Sequence, residues 1–236
     1  MDDTQRRRSG GRAARQALRL ASHAEHVPFL TRKLAPFEVL GEEGLALIEQ
    51  NADAILEEVG VEFRGDTEAL RLLADAGADI DGVRVRFPRG MCRGIVQASA
   101  PRQYTQYARN PERNVEIGGM HTVFAPNYGS PFVRDLDGGR RYGTIEDFRN
   151  FVKLAYMSPY LHHSGGTVCE PVDVPVNKRH LDMVYSHIRY SDKPFMGSVT
   201  APERARDTVE MARLAFGTDY LEDHTVVTSL INANSP

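Results

Sequence analysis

Residues 164–199, SGGTVCEPVDVPVNKRHLDMVYSHIRYSDKPFMGSV, decide the fold. An apolar, β-rich run from Ser164 leads through a proline-bearing loop into a helical pattern capped by Asn177. That helix carries Leu181, Val184 and Ile188 on one face, and a second β-rich run begins at Pro194. Strand, helix, strand in roughly 30 residues is the unit of a parallel sheet. Similar runs begin at Thr122 (TVFAPN) and Thr225 (TVVTSLI), so successive starts lie 42, 30 and 31 residues apart. Thr144 with Asp147 three residues on opens the first intervening helix, whose face is Phe148, Phe151, Val152 and Ala155. Pro202 opens the third, with Val209, Ala212 and Phe216 on its face and Gly217 at its end. The longer first interval holds a β-hairpin, Phe132–Arg134 with Arg140–Tyr142, turned by Asp137, Gly138 and Gly139.

Two architectures use this unit, the doubly wound open sheet and the closed eight-stranded barrel. Neither GxGxxG nor GxxxxGK[ST] occurs, so a nucleotide-binding open sheet has no support. A barrel needs about 250 residues, and four strands after His121 make half of one. The fold expected is α/β, the N-terminal half of a (βα)8 barrel preceded by a small α+β region. On this reading the chain is a piece of a protein about twice as long, with 1–35 a basic arm, 36–120 the α+β region and 121–236 the partial barrel. In the α+β region a helix carries Leu45, Ile48, Ala52, Ile55, Leu56 and Val59 on a face that must pack, and Gly60 stops it. Asp66 caps a second helix ending at Gly77, Val83, Val85 and Phe87 alternate as a strand, and Met91–Ala98 is a third helix.

Of 236 residues 41% are hydrophobic and 26% charged, with a net charge of −3. That balance excludes disordered and fibrous chains, no run is long enough to span a membrane, and nucleic acid is not the expected partner. Two cysteines, Cys92 and Cys169, suit a reducing cytoplasm. The first 34 residues carry +5 and the rest −8, so the start reads as a surface arm, with a transit peptide as the rival reading.

In parallel α/β folds function gathers at the carboxyl ends of strands. That rule selects Asn127, Tyr128, Gly129 and Ser130, then Cys169 and Glu170, then Ser198 and Thr200, then Asn232, Asn234 and Ser235. The set lacks a lysine for Schiff-base chemistry and a histidine paired to a nucleophilic serine. His162, His163, Cys169, Glu170 and His180 match no tight zinc motif, so no metal is expected, and solvated or capping histidines with a small buried cysteine are the plainer reading. Pro171, Asp173 and Pro175 stiffen the loop after Glu170, either as simple ordering or to hold Glu170 over the barrel mouth.

Three strings, VFAPNYGSPFVRDLDGGRRYGTIEDFRNFVKLA (123–155), PVDVPVNKRHLDMVYSHIRYSDKPFMG (171–197) and INANSP (231–236), resemble the trimethylamine methyltransferase family. So do RRRSGGRAAR (6–15) and PFEVLGEEGLALIEQNADAILEEVGVEF (36–63), at the start of the chain. The resemblance implies a (βα)8 barrel that moves a methyl group from a tertiary or quaternary amine, trimethylamine or glycine-betaine-like, to the Co(I) of a corrinoid protein. It implies a cobalamin-type corrinoid carried by that partner with no cofactor bound directly, and a homo-oligomer at full length. The barrel's task would be positioning: holding the N-methyl group in line with cobalt and excluding water. Substrate-binding candidates by loop position are Asn127, Tyr128, Gly129, Glu170, Ser198, Asn232, Asn234 and Ser235, with Tyr128 offering an aromatic face and Glu170 a counter-charge to a cation. A non-catalytic docking fragment and a metal-dependent hydrolase are the alternatives.

Overall fold

A computed structural model describes residues 27–231. Residues 1–26 of the expected basic arm and the candidates Asn232, Asn234 and Ser235 lie outside the described residues. The chain divides into two compact units, one of Lys33–Arg102 and one of residues 103–231 with 27–32. The architecture is mixed α/β: among the described residues there are seven α-helices and five sheets of two or three strands.

The smaller unit is built from local signals. Helix α1 (Glu42–Glu58) is followed by strand β2 (Val61–Glu62), helix α2 (Thr67–Asp75), strands β3 (Asp79–Asp81) and β4 (Arg84–Arg86), and helix α3 (Met91–Ser99). The antiparallel sheet runs β2-β4-β3 with Val85 fully buried opposite Val61 and Ile80. Asp66 caps α2 as its spacing predicts, its Oδ1 accepting from the Ala69 N–H at 2.9 Å. Gly60 turns the chain at φ +70°, where a Cβ would meet the Val85 carbonyl oxygen at 2.3 Å, so two constraints fix glycine there. The apolar stripe of α1 lies outward: Leu45, Ile48, Ile55 and Val59 are each more than half exposed. The helix is held instead by its acidic face, with Glu57 accepting from Arg89 at 2.7 Å, Asp53 from the Gly90 N–H at 3.1 Å, and Glu49 paired with Arg93.

In the larger unit strand β1 (Leu30–Thr31) pairs antiparallel with β7 (His121–Thr122), and β5 (Gln103–Gln106) with β6 (Val115–Gly118). The predicted hairpin forms as β8 (Phe132–Asp135) and β9 (Gly139–Tyr142). Then come α4 (Ile145–Met157), α5 (Arg179–Tyr190), β10 (Phe195–Met196), α6 (Pro202–Phe216), α7 (Thr218–Asp223) and β11 (Val227–Thr228). Strands β10 and β11 pair in parallel.

The runs at Thr122 and Ser164 do not form the full strands expected of them. In the first run Pro126 lacks the N–H a ladder needs, and in the second Gly165 turns to φ +88°. Their backbones nonetheless adjoin in chain order. The His162 N–H donates to the Phe124 carbonyl at 2.9 Å and the Glu170 N–H to that of Ser130 at 2.9 Å. The Met196 N–H donates to the Gly165 carbonyl at 2.8 Å, and the Gly197 N–H to that of Thr228 at 2.8 Å.

The core is Val133, Phe148, Val152, Val168, Cys169 and Met183, joining the hairpin to α4 and α5. Asn177 is not the cap of α5: Lys178 holds that position with no side-chain bond, because the Pro175 carbonyl already takes the Lys178 and Arg179 N–H groups at 2.9 Å each. The buried face of α5 is also rotated from the predicted one, to His180, Met183, Val184 and His187. On α6 Val209 is exposed, while Thr208 and Ala212 are buried.

The opening of α4 is the best-determined local feature. Thr144 Oγ1 accepts from the Asp147 N–H at 3.2 Å, and Asp147 Oδ2 accepts from the Thr144 N–H at 2.9 Å, the reciprocal capping box. Arg141 donates twice to the same carboxylate, at 2.6 and 2.8 Å. Its guanidinium, with Thr144, holds the Asp147 carboxyl far below the usual range. The contribution is therefore present above the ordinary aspartate pKa and lost as pH falls below it. Asp147→Ala is expected to cost about 1–2 kcal/mol by urea unfolding at pH 7; an unchanged midpoint would show that the box does not hold the hairpin to α4.

Candidate functional site

A cavity of about 170 Å³ lies where the ends of the successive β-rich segments meet the first turns of α5 and α6. Tyr128, Thr167, Glu170, Ser198, Thr200 and Leu230 line it from the segment ends, and Arg179, His180 and Arg204 from the helices. Four of the residues singled out from sequence by strand-end position, Tyr128, Glu170, Ser198 and Thr200, thus share one space.

Tyr128 lies against the chain at Gly166, where a Cβ would come within 2.6 Å of its ring, so the glycine admits the ring at this position. Gly129 contributes backbone: at φ +76° its N–H donates to the Thr167 carbonyl at 2.7 Å, fixing the segment that carries Tyr128. Ser198 is fixed by α6, its N–H donating to Thr208 Oγ1 at 3.2 Å. Asn127 stands apart from this cavity. Its Nδ2 donates to Ser130 Oγ at 2.6 Å, and it lines a separate, more open cavity with Phe132, Phe151 and Val168.

Glu170 is ion-paired with Arg179, which also donates to the Val174 carbonyl through Nε at 3.3 Å and Nη2 at 3.1 Å. The loop 171–178 is anchored at both ends. Pro171 is buried, and Asp173 Oδ1 accepts the Ile145 N–H at the start of α4 at 2.8 Å. Cys169 is fully buried, and burial pushes its thiol up to about 12. It is therefore a protonated core side chain and not a nucleophile.

Of the solvated or capping histidines expected, His162, His163 and His180 are at least 97% buried and so not solvated, while His162 and His163 accept the Phe124 and Gly165 N–H groups at 2.9 Å each; His187 is buried as well. His187 Nδ1 lies 2.7 Å from Ser164 Oγ, a serine–histidine pair that sequence spacing did not reveal. Its Nε2 lies 2.8 Å from the Gly166 carbonyl, which accepts only, so Nε2 bears the proton and Nδ1 accepts from the serine hydroxyl. Both residues are sealed from solvent, and the pair is structural. His180 differs. Its Nε2 meets Asp207 Oδ2 at 2.8 Å, while its Nδ1 is buried without a hydrogen-bond partner. Among the described residues no three of His, Cys, Asp and Glu converge to hold a metal ion, and no helix is long and apolar enough to cross a membrane.

Arg179 and Arg204 were not selected from sequence, and His180 was weighed only as a member of the metal set. A usable signal existed for all three, since the opening turn of a helix after a parallel strand borders the strand ends. The pairing of His180 with Asp207 spans 27 residues and leaves no local trace.

The sequence profile of the trimethylamine methyltransferase family matches residues 8–236. The chain belongs to the trimethylamine methyltransferase family. Within it, the glycine betaine methyltransferase of Desulfitobacterium hafniense (strain Y51) is 45% identical over 204 residues, covering 86% of this chain and 42% of that protein. The chain thus spans about two fifths of the length of that curated family relative.

Proposed function

We propose that this chain supplies part of a methyltransferase that takes a methyl group from a tertiary or quaternary amine, of trimethylamine or glycine betaine type, and passes it to a corrinoid on a partner protein. Family membership and the relative named for glycine betaine support the reaction class. The carrying observation is the cavity that brings the ring of Tyr128 together with the carboxylate of Glu170, whose Oε1 is taken by Arg179 and whose Oε2 is left to face a methylated cation. At about 170 Å³ the cavity suits a small amine and not a corrin ring, which fits a cofactor carried elsewhere. When the partner docks, its Co(I) supplies the nucleophile.

This chain's residues bind and orient. Tyr128 and Glu170 hold the cation, the anchored loop 171–178 keeps Glu170 in place through Arg179, and the buried segments below exclude water. The small parallel pair β10-β11 and the adjoining runs 124–130 and 162–168 fit one side of a (βα)8 barrel, and a protein of the relative's length has room for the other strands. Two free thiols suit a cytoplasmic setting.

Calorimetric titration of the chain with glycine betaine and tetramethylammonium tests the site. Binding is expected for both, with Tyr128→Leu weakening each by about tenfold, within the range of a desolvated cation–π contact. Mixing with glycine betaine and a Co(I) corrinoid protein then tests turnover, read as dimethylglycine by mass spectrometry. If no methylated amine binds, the reading fails.

A further inference from the structure

Helix α1 carries a second pattern inside its apolar stripe. Leu45, Ile48, Ala52, Ile55 and Val59 follow one another at steps of three, four, three and four residues, the heptad spacing by which one helix seats against another. All five are exposed, and the seam they form is about 21 Å long. The side of the helix that carries Asp53 and Glu57 is already committed to its own unit, since these carboxylates accept from the Gly90 N–H and from Arg89. Four large aliphatic side chains and an alanine in one row therefore face outward, a surface of the kind that marks an interaction site.

The order of the side chains says what sits there. From Gly41 at the helix start the steps to Val59 run four, three, four, three, four, the same from either end, so the seam turned end for end fits itself. A two-fold axis between Ile48 and Ala52 then sets Leu45 against Ile55 of a second copy, Ile48 against Ala52, and Val59 against Gly41, with every contact made twice. Near the axis each large isoleucine meets a small alanine. The flanks permit this order. Glu49 and Asn51 border the seam on either side near the axis; Glu49 is already paired with Arg93, and Asn51, whose Nδ2 donates to the Leu47 carbonyl at 2.9 Å, is uncharged. By the same heptad Glu42 comes opposite Leu56 of the second copy and Glu58 opposite Gly44, so no unpaired acid meets another. A parallel pair would instead gather Glu42 and Glu43 of both copies at one end, Glu57 and Glu58 at the other, and align the two helix dipoles.

We propose that α1 is a self-association surface, through which two copies of this chain pair antiparallel about the point between Ile48 and Ala52. The pairing uses residues of the Lys33–Arg102 unit alone and does not depend on the methylated-amine reading.

Light scattering of the unmodified chain over a concentration series, together with cysteine cross-linking, tests this. The mass is expected to double from the 26.3 kDa of one chain as concentration rises. Cross-linking under diamide is read with Cys92 replaced by serine; Cys169 is fully buried and takes no part. Leu45→Cys alone and Ile55→Cys alone each stand about 15 Å from their own counterpart across the axis and are expected to stay uncoupled, whereas a mixture of the two chains is expected to form a disulfide dimer. Ile48→Glu is expected to weaken association at least tenfold with an unchanged far-UV spectrum, because the side chain is exposed in the single copy. A single-chain mass at every concentration overturns the proposal and leaves the seam to another part of the protein. Leu45→Cys cross-linking by itself as readily as the mixture overturns the antiparallel order, and a dimer indifferent to Ile48→Glu overturns the surface. Should Ile48→Glu fail to fold, the comparison of the mixture with the single cysteine chains still decides.

Discussion

Replacing Lys193 with Met is expected to lower the stability of the chain by about 3 kcal/mol or more, the range for stripping one partner from a buried charged network. Lys193 is 2% exposed, yet its Nζ reaches three carbonyl oxygens, those of Ala155 and Ser158 at 2.8 Å each and of Leu161 at 2.6 Å. The first two belong to the end of α4, where helical carbonyls have no intrahelical donor and the dipole is negative. An ammonium has three N–H groups for three acceptors, so the match is complete only while the lysine is charged. Burial, with Arg113 nearby, pushes its pKa down to about 8, still above neutrality. Methionine keeps the length of the stem and removes every donor, leaving the three oxygens without one. Urea unfolding followed by circular dichroism reads the difference. Lys178→Met, at an exposed position, is the control and should change stability by less than about 0.5 kcal/mol. A Lys193→Met loss as small as the control's would mean that water replaces the ammonium and that the α4 end is not locked.

What was legible in the sequence was legible for a local reason. The capping box at Thr144 and Asp147, the turn at Asp137–Gly139, the Asp66 cap and the proline start of α6 each depend on a few adjacent residues, and each formed as read. Where a residue's role is set by a distant partner, periodicity misled. His180 and His187 count as polar in a helical pattern, so the face of α5 was assigned to Leu181 and Ile188. The buried stripe in fact runs through both histidines, because each finds its partner elsewhere, on Asp207, Ser164 and Gly166. Nothing local announces the role of Lys193 either, because the three carbonyls it meets lie 32 to 38 residues earlier in the chain. The stripe on α1 shows the converse, a correct period whose apolar side faces outward while arginines hold the acidic side.

The candidate site was half readable. Strand-end position selects Tyr128, Glu170, Ser198 and Thr200, which share the cavity, and also Asn127, which does not, because its amide turns to Ser130. The cations of the cavity came from helix starts, outside the places where that rule looks.

Acid should destabilise this chain well before its carboxylates titrate. The Gly165 N–H donates to His163 Nδ1 at 2.9 Å, and His163 Nε2 lies 3.1 Å from Gln106 Oε1, which accepts its proton. Gln106 Nε2 in turn donates to the Phe195 carbonyl at 2.9 Å and that of Val226 at 3.3 Å. The network joins β5, the 163–166 segment, β10 and the run into β11; His163 has no acceptor for a second proton, and a second proton on His187 would turn the Ser164 hydroxyl from donor to acceptor and bury an imidazolium. Burial holds their folded pKa values at about 3 and about 4, against 6.5 for a free histidine. Below pH 6.5 the unfolded chain therefore takes up two protons that the native chain refuses, so stability falls as pH falls, by about 2.7 kcal/mol per pH unit from the pair. Between pH 7 and pH 5 the loss is expected to reach about 4 kcal/mol, a large part of a typical domain's 5–15. The paired aspartates contribute nothing in that window, because their stabilisation is lost only below their ordinary pKa near 3.8. Urea midpoints at pH 7, 6 and 5 measure the slope, and His187→Gln, which retains an amide donor and acceptor without titrating, should halve it. A flat profile over that range, or an undiminished slope in the variant, would show that the acid response originates in other groups. If the slope is as expected, the two histidines do more than fill space: they make one neutral polar network the condition for holding the segments beneath the cavity together.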